Sequence, residues 1–217
     1  PSAYLSLFEK YTKEGYEVVH LGFTAKLSSS FQNAVLAAGE LEGVFPVDTK
    51  SLCTGMALLV IKACEMRDAG LPAKEIAEQI ALLREKVHTT FILNTLDYLS
   101  RGGRCSAVTA FGANLLSIKP SIEMVDGALE VGKKYRGKIE TVYGQYIRDQ
   151  LSDPDKLDLS RAFLSHSGGG ISEETLQAMK KEILRCAPFQ EVQIIRAGCT
   201  ISAHCGPKTA TVMFMEK

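Results

Sequence analysis

The chain has 217 residues, with 25 basic and 25 acidic side chains and a hydrophobic content of 46%, which is enough for one large domain or two small ones with real cores. The balanced charge, without a basic stripe interleaved with aromatics, argues against nucleic acid as a partner. The longest apolar runs fall far short of the roughly 20 residues that span a bilayer, so we expect a soluble, cytoplasmic protein with no stable membrane insertion.

The first part of the chain alternates between helical and strand patterns. Apolar residues at helical spacing predict a helix over residues 3–14, with Ser2 as its N-cap. Buried strands are predicted at residues 17–23 and 44–47. The remaining pattern predicts three helices, marked by Phe31, Val35, Leu36 and Leu41, by residues 55–69, and by Ile76, Ile80 and Leu83. This alternation predicts a parallel sheet covered by helices over residues 1–88.

Hydroxyl and carboxylate side chains follow the two predicted strands. They are Thr24, Ser28, Ser29 and Ser30 after the first, and Asp48, Thr49 and Ser51 after the second. Ligands of parallel sheets gather at the carboxyl ends of the strands, and the amides that begin a helix attract anions. The pattern therefore indicates a seat for a carboxylate or a phosphate. The alternative is that Ser28 or Ser29 only caps the following helix.

The second part of the chain has a different pattern. A strand at residues 90–93 and a helical turn at 96–99 lead to a bend at Gly102 and Gly103. Asp126 and Gly127 separate two strand patterns and predict a tight hairpin. Further helices and strands are predicted at residues 139–151, 162–166, 172–186, 192–196 and 209–214. We therefore expect a second α/β domain, residues 89–217, with a mixed or antiparallel sheet.

Of the four histidines, His204 is the best candidate for a functional group. His20 and His88 fit packing or surface positions, whereas His166 precedes a glycine-rich loop. We place His204 in a loop between strands, beside Gly206 and Pro207, where no apolar periodicity explains it. The nearby Cys199 and Cys205 lack the second ligand cluster that a zinc site needs. We therefore expect free thiols, no metal and no cofactor.

The sequence contains no complete catalytic motif. The glycines at 168–170 match neither the dinucleotide fingerprint nor the P-loop, and no GxSxG elbow presents a serine nucleophile. We therefore expect that the protein is not an enzyme. The alternative is an enzyme for a small anionic or phosphorylated substrate, with His204 as acid or base and the helix after Ser28 as the phosphate seat. Arg104 and Arg136 are candidate anion clamps.

Several motifs in order resemble one known family. These are LSSSFQNA at residues 27–34, LDYLSRGGR at 96–104, LLSIKP at 115–120 followed by Asp126-Gly127, and HCGP at 204–207. The set resembles the DegV family of bacterial fatty-acid-binding proteins and covers essentially the whole chain.

The resemblance implies two α/β domains with one long-chain fatty acid between them. It further implies that the protein catalyses nothing and presents the carboxyl group to a separate fatty acid kinase, which makes an acyl phosphate for phospholipid synthesis. Carried over by position, Ser28 and His204 would contact the carboxylate, with Arg136 as a third contact. We interpret Arg104 as a structural tie across the bend rather than a ligand contact. The tunnel would be lined by Phe111, Leu115, Leu116 and Ile118.

The chain departs from the family pattern at two places. Ser29 and Ser30 stand where the family has Gly-Thr, so the amides around the carboxylate would be less open. Pro1 and Ser2 resemble the end of a family segment that follows an upstream strand. We therefore expect that the chain is N-terminally truncated and lacks the first strand and one head-group ligand. A truncated structural remnant is the remaining alternative.

Overall fold

The computed structural model describes residues 1–104 and 118–217, which cluster into two compact units. The first comprises residues 1–87 and the turn Asp126–Ala128, and the second comprises residues 88–125 and 129–217. The expected α/β class, with a parallel sheet in the first part and a mixed sheet in the second, is confirmed. The division into domains at residues 1–88 and 89–217 remains a prediction.

The first unit contains a two-stranded parallel sheet and four helices. Its elements are α1 Ser2–Lys13, β1 Val18–Gly22, α2 Ser30–Ala38, β2 Val44–Asp48, α3 Cys53–Asp68 and α4 Ala73–Leu83. In the sheet Val18 lies opposite Val44, and Gly22 lies opposite Asp48. Because the strands are parallel, their carboxyl ends meet at one edge, and the loops after Gly22 and Asp48 start there.

The buried side of α2 consists of alanines. Val35 and Leu36 are exposed, whereas Ala34, Ala37 and Ala38 are buried and pack with Phe8 and Val44. Phe31 is only half-buried and Leu41 lies beyond the helix end. Alanine has no long side chain to hold the backbones apart, so α2 packs closely against its neighbours through its smallest residues.

His20 is a packing residue, as the sequence suggested. Its ring lies 5.2 Å from the ring of Tyr4 and 5.5 Å from that of Phe8, both edge to face. Its Nε2 atom is buried without a hydrogen-bond partner among the described residues, and burial lowers the pKa of the imidazole. The neutral form is therefore favoured at this position. His88 also packs, with its ring stacked on Phe214 at 4.8 Å.

The second unit is built on one mixed sheet. Its elements after the boundary strand β3 Val87–His88 are β4 Thr90–Ile92, α5 Asp97–Gly102, β5 Ile118–Val125, β6 Ala128–Arg136, α6 Ile139–Gln150, β7 Arg161–His166, α7 Glu173–Cys186, β8 Glu191–Arg196, α8 Cys199–Cys205 and β9 Ala210–Met215. The strand order among the described residues is β6-β5-β4-β9-β7-β8, with β3 beside β9. β7 and β8 are parallel, and β9 is antiparallel to both β4 and β7.

The predicted hairpin joins β5 and β6. Its two turn residues, Asp126 and Gly127, both have positive φ, at 46° and 80°. A two-residue turn with positive φ at both positions matches the right-handed twist of the strands, which is why Asp-Gly predicts it. The prediction from this dipeptide is confirmed.

The core of the second unit forms where α6 packs on the sheet. Val142, Tyr146 and Ile147 of α6 are completely buried. The hydroxyl of Tyr146 bonds to Oγ1 of Thr90 at 2.9 Å, so the buried phenol has a partner. Burial raises the pKa of Tyr146 to about 12, which keeps it neutral.

The helix starts agree with the sequence in one case and differ in another. The Oγ atom of Ser172 accepts a hydrogen bond from the backbone N–H of Thr175 at 3.1 Å, so Ser172 caps α7, at the residue where the sequence predicts that this helix starts. Ser2 is the first residue of α1, and Pro1 holds the cap position instead. The assignment of Ser2 as a cap was therefore wrong by one residue.

Candidate functional site

The hydroxyl-rich edge of the first unit mainly holds its own loops together. Oγ1 of Thr24 donates to the carbonyl of Gly127 at 2.7 Å, and Oγ1 of Thr49 donates to the carbonyl of Gly22 at 2.7 Å. The carboxylate of Asp48 accepts from the backbone N–H of Lys50 at 2.9 Å. The sequence placed these side chains at the correct edge. The structure shows that the hydroxyls of Thr24 and Thr49 and the carboxylate of Asp48 are already hydrogen-bonded to the backbone.

The hairpin turn 126–128 completes this edge. The carboxylate of Asp126 is paired with Lys50 and lies 3.6 Å from Nζ of Lys26. A Cβ atom added to Gly127 would lie 2.6 Å from Oγ1 of Thr24. The turn therefore fits closely against the loops that follow β1 and β2.

Ser28 stands at the entrance of α2. Its Oγ accepts a hydrogen bond from the backbone N–H of Ser30 at 3.2 Å. Ser28 therefore bonds to the first turn of α2, in partial agreement with the alternative that it only caps this helix. Ser29 occupies the cap position without a side-chain capping bond, and Oγ of Ser30 is bonded to the hydroxyl of Tyr4 at 2.8 Å. The bond to Ser30 uses a lone pair of Ser28, so the hydroxyl proton of Ser28 can still be donated to an anion.

In the second unit, His204 lies on a helix. It is in the last turn of α8, Cys199–Cys205, so the prediction that it lies in a loop was wrong. Its half-buried ring rests against the end of α5, where a Cβ atom on Gly102 would lie 2.3 Å from Nδ1 of His204. Only a glycine at position 102 leaves room for the ring in this position.

The end of α8 is held by side chains that the sequence did not single out. Oγ1 of Thr209 donates to the carbonyl of Cys205 at 2.8 Å, and Oγ of Ser167 donates to the carbonyl of Gly206 at 2.6 Å. Gly206 has φ 76° and ψ 178°, and a Cβ atom there would lie 2.3 Å from the ring of Tyr98. These contacts fix the position of the helix that carries His204. In the sequence, the adjacent Gly206-Pro207 is the feature that marks the end of this helix.

The glycine loop after β7 contacts His166 and Arg196. The backbone N–H of Gly168 donates to Nδ1 of His166 at 3.2 Å, and all three glycines at 168–170 have positive φ. Burial, followed by the charge of Arg196, lowers the pKa of His166. Nδ1 of His166 therefore accepts a hydrogen bond from the loop. This structural role explains why a histidine precedes the glycines, and no catalytic role is needed.

The other predicted site residues fall into two groups. Arg136 is exposed at the end of β6, Ile118 is half-buried at the start of β5, and Nη1 of Arg104 donates to the carbonyl of Gly102 at 2.8 Å, as expected for a tie across the bend. The remaining tunnel residues, Phe111, Leu115 and Leu116, lie outside the described residues. Ser28 is in the first unit, whereas His204, Arg136 and Ile118 are in the second.

Metal, disulfide and membrane features were searched in residues 1–104 and 118–217. Within these ranges no group of three or more His, Cys, Asp or Glu side chains could hold a metal ion. No disulfide links the cysteines there. None of the helices in this part of the chain has the length and apolar character needed to cross a membrane.

Comparison with known proteins identifies similar sequences along the whole chain. Residues 1–217 match the family model described as "Uncharacterised protein, DegV family". A DegV domain-containing protein from Clostridium acetobutylicum is 30% identical over 223 residues, and the match covers 100% of this chain and 76% of the relative. The similarity therefore extends through both units.

Solved structures show the same fold. A DegV family protein from Thermus thermophilus, described by its fatty acid binding, has a TM-score of 0.86 and 27% identity, over 100% of this chain and 77% of that one. The fatty acid kinase B3 protein of Streptococcus pneumoniae, loaded with linoleic acid, has a TM-score of 0.84 and 23% identity, over 100% of this chain and 76% of that one. The second likeness shows the fold alone.

Proposed function

Because this chain belongs to the DegV family, we propose that it binds one long-chain fatty acid without chemical change. The observation that carries the proposal is the match of the family model to all of residues 1–217. The Thermus thermophilus relative, described by its fatty acid binding, supports the choice of ligand. The local geometry of each unit supplies groups suited to a carboxylate.

Ser28 and His204 are the proposed carboxylate ligands. The hydroxyl of Ser28 keeps a proton to donate, and the N-terminus of α2 beside it carries the positive end of the helix dipole. The ring of His204 is fixed by Gly102 and by the bonds at the end of α8. A fixed donor loses little conformational freedom when it binds a ligand. Arg136, exposed at the end of β6, is a third proposed contact.

The tail of the fatty acid needs an apolar passage. We propose that Phe111, Leu115, Leu116 and Ile118 line it, which follows from the uncharged sequence around them. A tail of about 14 methylenes gains about 11 kcal/mol on burial, whereas a hydrogen bond to a charged group contributes about 1.5–3 kcal/mol. The tail should therefore set the affinity, and the polar contacts should orient the head group.

A second part of the proposal concerns what happens to the fatty acid after it is bound. We propose that the protein works in the bacterial cytoplasm and presents the carboxyl group to a fatty acid kinase. The kinase would transfer a phosphoryl group from its nucleoside triphosphate to a carboxylate oxygen, giving an acyl phosphate for phospholipid synthesis. This step follows from the resemblance to the DegV family, which the motifs at residues 96–104 and 204–207 carry.

The binding proposal is tested by extracting the purified protein with organic solvent and identifying released acyl chains by mass spectrometry. We expect about one long-chain fatty acid per protein. Stripped protein should then take up added hexadecanoic acid. Absence of a co-purifying acyl chain, together with no uptake of hexadecanoic acid, would contradict the proposed function.

The role of His204 can be tested through its neighbour by the variant Gly102→Ala. Alanine favours a helix more than glycine does, so α5 should remain stable, but the added Cβ must displace the ring from its position 2.3 Å away. We expect hexadecanoic acid to bind at least about tenfold more weakly. The melting temperature should fall only slightly, because the gain in helix propensity partly offsets the overpacking against the ring. Isothermal titration calorimetry and circular dichroism measure the two effects.

Gly144→Ala is the matched control for this variant. Gly144 is also helical, and the nearest atom to its added Cβ is the end of the flexible Arg148 side chain at 3.3 Å. Its affinity for hexadecanoic acid should stay unchanged. Equal affinity in Gly102→Ala and the unchanged protein would show that the position of His204 does not affect binding.

A further inference from the structure

β8 is the outermost strand on one side of the sheet in the second unit. Among the described residues it pairs with β7 alone, and the two strands are parallel. The backbone N–H of Ala197 donates to the carbonyl of His166 at 2.9 Å. Because the backbone groups of a strand point alternately to its two sides, those of Val192, Ile194 and Arg196 point away from β7. They form an edge to which a further strand can bond.

The two outer strands of this sheet differ in the charges that they carry. β6 is the outermost described strand on the other side, and Lys133, Lys134 and Arg136 are exposed along it. Exposed cations on an edge strand discourage pairing with another chain. Between its two end residues, by contrast, β8 has the uncharged sequence VQII at residues 192–195. By its composition, β8 is therefore the edge that can accept a further strand.

A groove of about 710 Å³ runs between β8 and α7. Ile171, Leu176 and Ile194 supply its apolar part. Because α7 connects two parallel strands, it runs antiparallel to both, and its first turn lies near the carboxyl end of β8. A strand added to β8 would direct every second side chain into this groove. Strand addition beside a groove is a common way to bind an extended peptide.

The charges along the groove favour an acidic occupant. Its described lining residues include two cations, Arg196 and Lys180, and one carboxylate, Glu173. Arg196 is at the carboxyl end of β8. Lys180 lies toward the other end, where its charge acts on Glu191, the first residue of β8. The groove therefore has a positive group near each end and an apolar part between them.

The same charges disfavour a second copy of this chain as the occupant. Antiparallel pairing of β8 with itself would bring the Arg196 end of each copy to the Lys180 end of the other, so like charges would meet. Glu191 would not offset this repulsion, because its carboxylate already accepts from Nε of Arg161 at 2.7 Å. A strand that carries carboxylates at these two places matches both ends of the groove.

We propose that β8 and α7 bind an extended segment of a partner protein, which adds to the sheet as a strand and places acidic side chains at Arg196 and Lys180. Lys180 lies beside Val192 in the groove, and Val192 and Arg196 are separated by two repeats of the strand. The segment therefore needs two acidic residues four positions apart, with an apolar residue midway to meet Ile194. This surface is separate from the contacts proposed for the fatty acid.

The test uses a fluorescein-labelled synthetic peptide of seven residues, in which threonine alternates with glutamate, valine and glutamate. Fluorescence anisotropy with the full chain should show saturable binding. The peptide with glutamine in place of both glutamates should bind about three- to tenfold more weakly. A form methylated at all its backbone nitrogens keeps the side chains but cannot donate to β8, and it should not bind measurably.

Three variants test the protein side of the contact. Lys180→Gln should weaken binding of the peptide about two- to fivefold. Lys181→Gln, at the next residue of α7, is exposed outside the groove and should leave the affinity unchanged. Ile194→Pro removes a backbone N–H that points away from β7, a change that an edge strand tolerates. It should weaken binding about fivefold or more, and circular dichroism checks that each variant is folded.

Each contrary result would overturn the inference. Absence of peptide binding, or equal binding of the methylated form, would show that no strand adds to β8. Equal affinities for the glutamate and glutamine peptides, or equal effects of the two lysine variants, would show that the charges are not recognised. A dimer in sedimentation that Ile194→Pro converts to a monomer would identify a second copy as the occupant. None of these measurements uses a fatty acid, so the proposed function is tested separately.

Discussion

Gly206→Ala is expected to lower the melting temperature of the second unit by about 10 °C. Gly206 has φ 76° and ψ 178°, a region that costs other residues about 1–3 kcal/mol. The added Cβ would also lie 2.3 Å from the ring of Tyr98, and such overpacking costs about 1–3 kcal/mol more. For a chain of this size each kcal/mol shifts the melting temperature by about 2–4 °C. Differential scanning calorimetry measures the change.

Gly198→Ala provides the control at the other end of the same helix. Gly198 has φ −66°, and an added Cβ would meet nothing within 4 Å. Its substitution should shift the melting temperature by no more than about 2 °C. Equal stabilities of the two variants would show that Tyr98 and the backbone of Gly206 do not hold the end of α8.

Shortening the ligand is expected to weaken binding more than removing His204. Decanoic acid has six fewer methylenes than hexadecanoic acid, and at about 0.8 kcal/mol each the loss is about 5 kcal/mol, or a change in Kd of about 10³ to 10⁴. His204→Ala removes a contact of about 1.5–3 kcal/mol, or about 10 to 150 times in Kd. Competition against a fluorescent fatty acid gives both ratios.

The two ratios together test which part of the ligand sets the affinity. A series from decanoic to hexadecanoic acid should show a steady gain with each added methylene. The same series measured in His204→Ala should have the same slope and a uniform offset, because the head and tail contacts are separate. A flat series would mean that the tail is not buried, which would contradict the proposed tunnel.

Local signals in the sequence predicted the elements that depend on local chemistry. Asp126 and Gly127 specified their turn because few other residues accept positive φ at both positions. Ser172 specified the start of α7 because its hydroxyl meets a helix N–H three residues on. Val142 and Tyr146 specified the buried side of α6 through their spacing. None of these depends on a distant part of the chain.

The sequence could not predict features that depend on distant neighbours. The helix that carries His204 is short, so helix propensity alone gives it little stability. One of the bonds at its end comes from Ser167, which follows β7 and is 39 residues away in the sequence. The role of the polar residues in the loops after β1 and β2 was also hard to predict from the sequence. Their polar residues suggested a ligand seat, but Thr24 and Thr49 proved to be bonded within the unit, which composition cannot reveal.

The turn at residues 126–128 has a consequence for altering this protein. Hairpin tips are the usual places for an inserted tag or a new chain end, because they are exposed and make few contacts. Here the carbonyl of Gly127 accepts the buried hydroxyl of Thr24, and Asp126 is paired with Lys50. An insertion would separate these groups and leave the hydroxyl of Thr24 without its acceptor. Gly127 at the tip of this hairpin is buried, so a tag belongs elsewhere in the chain.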